Sequence, residues 1–226
     1  MKSIRIVFAV LLVAALPLLT GCGSESEVAK SEPKVEKEVE KPPEPLTGKH
    51  LVLVETTKGD FTIELDADAA PKTVENFLGY VDQKFYDHSL FHRVLKGFMV
   101  QGGGFSFGTA GLTTKWTRDP IPNESSNGLK NLKGTVAMAR GEDPQSGTSQ
   151  FFINVRNNTQ LDPDKHKDGV GYCVFGKVIK GMDVVEAISR VETTEKGSQK
   201  NIPVVPVFIQ TIRRAPAETA SGTSGG

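Results

Sequence analysis

The feature that most constrains this fold is a series of short β-rich segments between residues 49 and 214, separated by clusters of glycine and polar residues. Residues 61–65 alternate apolar and polar side chains with the period of two that is typical of a half-buried strand. Strands are predicted at 51–54, 61–65, 94–101, 134–139, 151–155, 172–178 and 204–212. Because a sheet of this many strands must protect its edges, and because helices do not alternate with the strands, we expect a closed or nearly closed β-barrel.

Two segments of the same region predict helices. Pro71 stands where proline is preferred, at the first position of a helix, and an apolar stripe follows it at spacings of three, four and seven residues. The stripe consists of Val74, Phe77, Leu78 and Val81. A second short helix is predicted at 183–189, with inward-facing Val184, Val185 and Ile188. The predicted fold class is therefore mainly β with two short α-helices.

Residues 1–22 are typical of a secretory signal. Lys2 and Arg5 precede an apolar run that stops at Pro17, which is too short for a transmembrane helix. The last four residues, Leu-Thr-Gly-Cys, resemble the bacterial lipoprotein signal, in which the cysteine is lipidated and becomes the new N-terminus. We therefore predict lipidation at Cys22. The alternatives are ordinary cleavage that leaves a spare cysteine, or an uncut anchor.

The composition changes on both sides of the β-rich region. Residues 23–48 carry seven Glu, four Lys and four Pro with few large apolar side chains, and such a segment cannot bury a core. The last residues are small and polar. The predicted organisation is a lipoprotein signal peptide at 1–21, a lipidated cysteine and disordered tether at 22–48, one folded domain at 49–214 and a flexible tail at 215–226.

Charge and residue counts exclude several classes of protein. The chain carries 27 Lys and Arg against 27 Asp and Glu, so we expect no nucleic-acid partner. Two cysteines exclude a disulfide framework and a cysteine-rich zinc site, and four histidines supply a multi-histidine metal enzyme poorly. We therefore predict no metal and no cofactor.

One short motif favours a different enzyme, a serine hydrolase. Residues 104–108 read Gly-Phe-Ser-Phe-Gly, which matches a nucleophile elbow at Ser106, and Asp162 and His166 follow in the matching chain order. The elbow requires a strand before the serine and a helix after it, whereas glycines precede Ser106 and a poor helix start follows it. We therefore interpret Ser106 as a loop residue.

Residues 91–103 contain Arg93 and Gln101 among apolar residues and glycines. An arginine among aromatic side chains is costly to desolvate unless its five donors find acceptors, and the amide oxygen of Gln101 is one such acceptor. Taken alone, the segment is equally consistent with a structural arginine at a strand end. Two further segments, 136–140 and 147–154, add small residues and a second glutamine beside two phenylalanines.

Together these segments resemble the cyclophilin family of peptidyl-prolyl cis-trans isomerases. The resemblance covers essentially all of 49–214, and the stretches FHRVLKGFMVQGG and GTSQFFINV are far more specific than a single short motif. The sequence is most similar to the bacterial periplasmic branch of the family. The resemblance implies a closed eight-stranded antiparallel β-barrel capped by two short α-helices.

The resemblance also implies roles for individual residues. Arg93 matches the catalytic arginine, and we group Gln101 with it because its amide can hold the guanidinium in position. The residues that match substrate-binding positions are Phe98, Met99, Ala139, Arg140, Gln150, Phe152, Leu161 and Tyr172. Three positions depart from the most common pattern: Gln160 replaces an aromatic residue, Arg140 replaces asparagine, and Tyr172 replaces the histidine of eukaryotic members.

The predicted function is therefore acceleration of rotation about X–Pro bonds, which assists the folding of exported proteins. Because this reaction transfers no proton, we interpret His92 as a buried, hydrogen-bonded histidine and not as a general base. The expected partners are proline-containing polypeptide clients and, through Cys22, the membrane, and we expect a monomer. The expected location is the periplasmic side of a bacterial cell envelope, and Gly23 favours the outer membrane. The alternative is a proline-peptide binding module or chaperone with little turnover.

Overall fold

The structure, a computed structural model, describes residues 46–109, 111–196 and 199–216. In these ranges the strands are β1 (Lys49–Thr56), β2 (Gly59–Asp66), β3 (Ser89–Leu95), β4 (Met99–Gly108), β5 (Gly111–Thr114), β6 (Thr135–Met138), β7 (Phe151–Asn154), β8 (Val174–Lys180), β9 (Thr193–Lys196), β10 (Gln199–Pro203) and β11 (Phe208–Ala215). The helices are α1 (Pro71–Asp82) and α2 (Met182–Ser189), and Thr159–Leu161 forms one turn of 3-10 helix.

Eight of these strands form a closed antiparallel barrel. Their order is β3-β11-β1-β2-β8-β6-β7-β4, and the pairing of β4 with β3 closes the ring. β5 extends the sheet beside β4, and β9 and β10 form a separate hairpin. The predicted eight-stranded barrel with two α-helices is confirmed.

The first hairpin shows why the alternating pattern forms a strand of the barrel. Phe61, Ile63 and Leu65 of β2 are at most 1% exposed, whereas the residues between them are only partly buried. β1 pairs with β2 without interruption from Lys49 opposite Asp66 to Thr56 opposite Gly59. One face of the hairpin therefore joins the barrel core and the other faces outward.

Helix α1 begins at Pro71, as predicted, and its apolar stripe is buried in the main core. Ala70 provides no side-chain cap for its first amides. Instead the carboxylate of Glu124 accepts from the N–H of Lys72 (3.1 Å) and of Thr73 (2.8 Å), and from Thr73 Oγ1 (2.7 Å). A residue distant in sequence thus satisfies amides that a helix leaves without intrahelical partners.

Helix α2 begins one residue before the predicted 183–189. Val185 and Ile188 are fully buried, and Val184 is partly buried against the same core. Gly181 precedes the helix with a φ of +79°, a left-handed conformation that glycine adopts without steric cost. The predicted inward face of this helix is confirmed.

The two faces of β4, β6 and β7 determine where a binding site can lie. Val100, Val136 and Ile153 are neighbours across these strands and are fully buried in the main core. Because side chains alternate along a strand, the residues beside them face the other way. There a second cluster forms from Met99, Ala137, Ala139, Phe152 and Val174. The outside of this sheet therefore carries an apolar floor.

The predicted strand at 94–101 is wrong, because residues 96–98 form the turn between β3 and β4. The N–H of Phe98 donates to the carbonyl of Leu95 (3.0 Å), and Gly97 has a φ of +67°. A left-handed residue at the third position of a four-residue turn is typical of type II, which favours glycine there. Phe98 therefore lies in the turn and not in a strand.

Other boundaries differ by smaller amounts. The strand predicted at 204–212 begins at Phe208, after Pro206, which has no N–H to donate to a sheet. The strand predicted at 172–178 corresponds to β8. β5, β9, β10 and the 3-10 turn were not predicted, because they are short and have no clear apolar period.

Several predictions concern the chain ends. The signal peptide at 1–21, Cys22, most of the tether and most of the tail lie outside the described residues. Leu46, which the sequence analysis places in the tether, packs partly buried against the main core, and the N–H of Gly48 donates to Asp68 Oδ1 (2.8 Å). Among the described residues, no helix is both long enough and apolar enough to cross a membrane.

Candidate active site

A β-bulge in β3 turns Arg93 away from the main core. Phe91 pairs with Gly102 and Arg93 pairs with Gln101, so β3 has one more residue than β4 in this interval. Phe91 and Val94 both pack in the main core although they are three positions apart, which a regular strand does not allow. The two residues between them therefore both lie outside the main core, where His92 is buried and Arg93 is exposed.

Two glutamines hold the guanidinium of Arg93. Arg93 Nη1 donates to Gln101 Oε1 (3.3 Å), and Gln101 Nε2 donates to Gln150 Oε1 (2.9 Å). The second bond orients the amide of Gln101 so that its oxygen is directed at Arg93, and the predicted acceptor is confirmed. Of the ion pairs in the described part of the chain, none includes Arg93. No carboxylate there neutralises its charge.

Arg93 and Gln101 line a pocket of about 140 Å³, which we call the Arg93 pocket. The remaining lining residues are Phe98, Met99, Ala139, Arg140, Phe152, Leu161 and Tyr172. The structure thus brings together every residue predicted for the site in the folded domain except Gln150, which bonds to Gln101 from an adjacent cleft. We call the part formed by Arg93 and Gln101 the Arg93 edge.

The floor of the Arg93 pocket is apolar and buried. Met99 is 3% exposed and Phe152 is 4% exposed, and both belong to the second cluster. Phe98 comes from the β3–β4 turn, and its carbonyl accepts from the N–H of Val155 (3.0 Å) and from Asn158 Nδ2 (2.8 Å). These bonds fix the turn, so the Phe98 ring is held as a wall of the pocket.

Four buried polar residues behind the pocket were missed by the sequence analysis. Asn158 Nδ2 donates to Asn154 Oδ1 (2.8 Å), Asn154 Nδ2 donates to Asn131 Oδ1 (3.2 Å), and the N–H of Asn131 donates to Asp162 Oδ1 (2.7 Å). Each residue is at most 1% exposed. The network links the β3–β4 turn to the end of the 3-10 turn. The available signal was a group of asparagines directly after an apolar strand, where burial requires hydrogen-bond partners.

Arg140 lines the same pocket with its charge neutralised. Its side chain is 4% exposed and pairs with Asp168 through Nη2, and Nε donates to the carbonyl of Gly171 (3.1 Å). The guanidinium carbon lies 4.6 Å from the ring centre of Tyr172. The N–H of Gly171 donates to Asp168 and is the main cause that holds the pKa of this carboxyl far below its usual value. We call Arg140, Asp168 and Tyr172 the Arg140 edge.

His92 lies in the bulge beside Arg93. It is 9% exposed, and within the described residues its Nδ1 has no hydrogen-bond partner. The predicted buried, hydrogen-bonded histidine is confirmed, because the ring has hydrogen-bond interactions with the backbone of Leu90 and the side chain of Gln150, although Nδ1 has no partner in the described ranges. Burial lowers the pKa of the ring to about 4, so His92 is neutral at pH 7. Its ring centre lies 4.4 Å from that of Phe105.

The surroundings of Ser106 do not fit the serine hydrolase alternative. Ser106 lies in β4 opposite Thr113 of β5, so no helix follows it, and our interpretation of Ser106 as a loop residue is wrong.

Cys173 is buried, and burial raises the pKa of its thiol to about 12, so it is a poor nucleophile. Gln160 is exposed in the 3-10 turn and does not line the Arg93 pocket. Among the described residues, no group of His, Cys, Asp and Glu is arranged to hold a metal ion.

Comparison with known proteins identifies the family. Residues 51–213 match the family model described as cyclophilin type peptidyl-prolyl cis-trans isomerase/CLD. The chain is 47% identical over 163 residues to peptidyl-prolyl cis-trans isomerase B of Escherichia coli, which covers 72% of this chain and 98% of that protein. It is 48% identical over 163 residues to peptidyl-prolyl cis-trans isomerase cyp18 of Streptomyces antibioticus, with 72% and 96% covered.

Solved structures show the same relationship. A cyclophilin type peptidyl-prolyl cis-trans isomerase of Cryptosporidium parvum superposes with a TM-score of 0.62 at 27% identity, over 75% of this chain and 99% of that chain. A second crystal structure of that protein, in the presence of the dipeptide Ala-Pro, gives a TM-score of 0.61 at 27% identity, over 74% and 99%. This chain, with its closed barrel and its Arg93 pocket, therefore belongs to the cyclophilin-type peptidyl-prolyl cis-trans isomerases.

Proposed function

We propose that Arg93 is the catalytic group of this isomerase and that the Arg93 pocket holds the proline ring of the substrate. Phe98, Met99, Phe152 and Leu161 supply apolar surface for the ring. Gln101, Ala139, Arg140 and Gln150 supply contacts to the neighbouring peptide. The observation that carries this proposal is a guanidinium with no neutralising carboxylate, held by Gln101 beside a buried apolar floor.

The chemistry of the reaction suits these groups. Rotation about an X–Pro bond is slow because amide resonance creates a barrier of about 18–20 kcal/mol. In the twisted state the prolyl nitrogen loses conjugation and its lone pair localises. A guanidinium N–H directed at that nitrogen, or at the preceding carbonyl, stabilises the twisted state more than either planar state.

The walls of the pocket add to the effect of Arg93. Apolar side chains grip the ring while the preceding carbonyl swings, and they exclude water from the reacting bond. In such surroundings a hydrogen bond from Arg93 is electrostatically stronger than in water. Rotation breaks no covalent bond and transfers no proton, so neutral His92 beside Arg93 is compatible with the reaction.

Replacement of Arg93 by alanine tests this mechanism. We expect Arg93→Ala to lower kcat/KM for a proline peptide by about a hundredfold or more, because it removes a donor that acts in the transition state. Arg214→Ala is the matched control, since Arg214 pairs with Asp82 (2.7 Å) and does not line the pocket. Exchange spectroscopy on a cis/trans peptide measures turnover directly, and a pure binding module would broaden peptide resonances without faster exchange. Full activity in Arg93→Ala would refute the mechanism.

We also propose that the enzyme assists the folding of exported proteins while anchored to the bacterial cell envelope as a monomer. The support is the signal-like segment 1–22 with Cys22 at its end, followed by the Glu-, Lys- and Pro-rich tether, and Gly23 favours the outer membrane. An acylated cysteine holds a protein at a membrane by burying acyl CH₂ groups, at about 0.8 kcal/mol each. We expect Cys22→Ala to lose an acyl label and to leave the membrane fraction. Continued membrane attachment of this variant would contradict the lipid anchor.

A further inference from the structure

A second concave surface lies on the other side of Arg93 from the proline-binding floor. Its first part, which we call the polar channel, has a volume of about 480 Å³ and is lined by Arg93, His92, Gln150, Lys200 and Asn201 among others. Its second part, which we call the apolar groove, has a volume of about 230 Å³. The apolar groove is lined chiefly by Leu90, Phe107, Leu112, Ile202, Val204 and Pro206.

The two parts are continuous with the Arg93 pocket. Arg93 lines both the pocket and the polar channel, and His92, Gln199 and Ile202 line both the channel and the apolar groove. Leu90 of the groove and Arg93 of the pocket are three residues apart on β3, which is at most roughly 10 Å because the bulge between them shortens the strand. An extended polypeptide therefore crosses the channel in three or four residues.

The apolar groove leaves large side chains uncovered. Phe107 is 53% exposed and Val204 is 49% exposed, although both line the same groove. A cluster of exposed apolar side chains with a polar rim is typical of a binding surface. The groove therefore suits an aliphatic or aromatic side chain.

The polar channel has the groups that a peptide backbone requires. Gln150, Lys200 and Asn201 offer hydrogen-bond donors, and the two amide side chains also offer acceptors. His92, which lines the channel and the groove, has a buried Nδ1 without a hydrogen-bond partner in the described part of the chain. Because this nitrogen is buried, the partners that the channel offers to a backbone are the side chains of Gln150, Lys200 and Asn201.

We propose that the apolar groove is a subsite for the client polypeptide and binds an apolar side chain three or four residues from the proline. This inference rests on the proposed function, because it requires a proline in the Arg93 pocket. Continuity with that pocket favours the same polypeptide as the occupant over a second copy of this chain or a membrane surface. The isomerase thereby prefers unfolded segments in which a proline and a large apolar residue lie close together.

Peptides that differ at one position test the subsite. The wild-type full-length protein is assayed with twelve-residue peptides that contain a single proline and carry either Leu or Ser at the third and fourth positions on one side of it. We expect kcat/KM to be about tenfold higher for the Leu peptide than for the Ser peptide on one of the two sides, mainly through KM. Equal values on both sides would overturn the proposal.

Two neighbouring valines provide matched variants. Val204 lines the apolar groove, whereas Val205, which is 70% exposed, does not line it. We expect Phe107→Ser combined with Val204→Ser to bring the Leu-to-Ser ratio close to one, and Val205→Ser to keep the tenfold ratio. Thermal unfolding of each variant verifies that the barrel is intact. A ratio that survives the double substitution would overturn the proposal.

Further measurements distinguish the client polypeptide from the other possible occupants of the apolar groove, and the subsite from the proposed function on which it rests. A tetrapeptide too short to reach the groove reports on the Arg93 pocket alone, so failure of the wild type to isomerise it would contradict the proposed function and not specifically the subsite. Sedimentation and binding to anionic lipid vesicles are compared between the wild type and the double variant. Loss of self-association or of vesicle binding, without a change in the peptide ratio, would overturn the proposal in favour of those occupants.

Discussion

The Arg93 edge and the Arg140 edge both present an arginine to the same pocket, but only the charge of Arg140 is neutralised by a carboxylate. Arg93 is exposed, and its hydrogen-bond partner is an uncharged amide at 3.3 Å. The side chain of Arg140 is 4% exposed and pairs with Asp168. The first guanidinium therefore keeps its charge available to a substrate, whereas the second serves as a planar wall that packs on Tyr172.

This difference shows that residue type alone does not assign a role within a site. A buried arginine must be paired, because an uncompensated charge is costly to desolvate, and pairing reduces its effect on a neighbouring substrate. The bulge in β3 avoids this desolvation cost for Arg93, because it places the side chain outside the main core, where it is exposed. The role proposed for Arg93 thus depends on a backbone irregularity in β3, whereas the burial of Arg140 depends on a nearby carboxylate.

The largest expected effect comes from replacing each arginine by lysine. Lysine keeps the positive charge but loses the planar fork of donors. We expect Arg93→Lys to lower kcat/KM by on the order of a hundredfold, and Arg140→Lys by about threefold, because Arg140 makes no contribution specific to the transition state. Steady-state kinetics on one proline tetrapeptide measures both. Equal losses of kcat/KM in the two variants would contradict the difference between the two edges.

His92, which lies beside the Arg93 edge, allows a second measurement, the pH dependence of stability. Its pKa is lowered to about 4 in the folded protein from an ordinary 6.5, so the unfolded chain binds a proton at higher pH than the folded chain does. The free energy of unfolding should therefore fall by about 2 kcal/mol as the pH drops from 6.5 to 4.5, and this group should contribute almost no slope above about pH 8. Urea unfolding at several pH values checks this expectation, with His92→Gln as the variant that loses this slope. Identical slopes in both proteins would contradict it.

Gln101→Glu converts the Arg93 edge into a paired edge that resembles the Arg140 edge. The carboxylate would bind Arg93 more tightly than the amide does, yet neutralise its charge. We expect kcat/KM to fall by about tenfold as a result. Gln150→Ala is the control, since it removes the same Gln101–Gln150 bond without adding charge, and it should lose less activity than Gln101→Glu. Unchanged activity in Gln101→Glu would show that the free charge of Arg93 is unimportant.

Asp168→Asn makes the reverse change and should have the smallest effect. It releases the charge of Arg140 at the rim of the pocket. We expect the ratio of kcat/KM for a peptide with Glu before the proline to that for a peptide with Lys there to rise about threefold over the wild type. The rise is small because a charge on a peptide in an open pocket is screened by solvent. This preference should decrease at high salt. Competition between the two peptides in one reaction measures it, and an unchanged preference would indicate that Asp168 does not mask Arg140.

The sequence predicted the parts of the molecule that depend on local pattern. The alternation in β2 and the apolar stripe of α1 were sufficient to place these elements, and the resemblance identified the residues that line the Arg93 pocket. The β3–β4 turn was missed because Phe98, an apolar residue, continues the apparent strand across Gly97. A turn that presents an aromatic side chain to a pocket has no polar signal.

The missed features of the site depend on contacts between distant parts of the chain. The bulge in β3 is defined by its register against β4, which a single strand sequence does not contain. Asp168 neutralises Arg140 from 28 residues away, and Glu124 reaches the start of α1 across 51 residues. Neither carboxylate was assigned a partner from the sequence. Tertiary proximity decides which acidic residues become partners, and local composition does not encode it.

The position of β11 in the barrel has a consequence for the order of folding. β11 lies between β1 and β3, so the last described strand in chain order completes the ring begun by the first described strand. Until residues 208–215 are available, β1 and β3 each have an edge with unpaired N–H and C=O groups, which is a template for pairing with other chains. A chain that lacks this strand would therefore form an open sheet prone to association, and the isomerase would itself be vulnerable until residues 208–215 are in place.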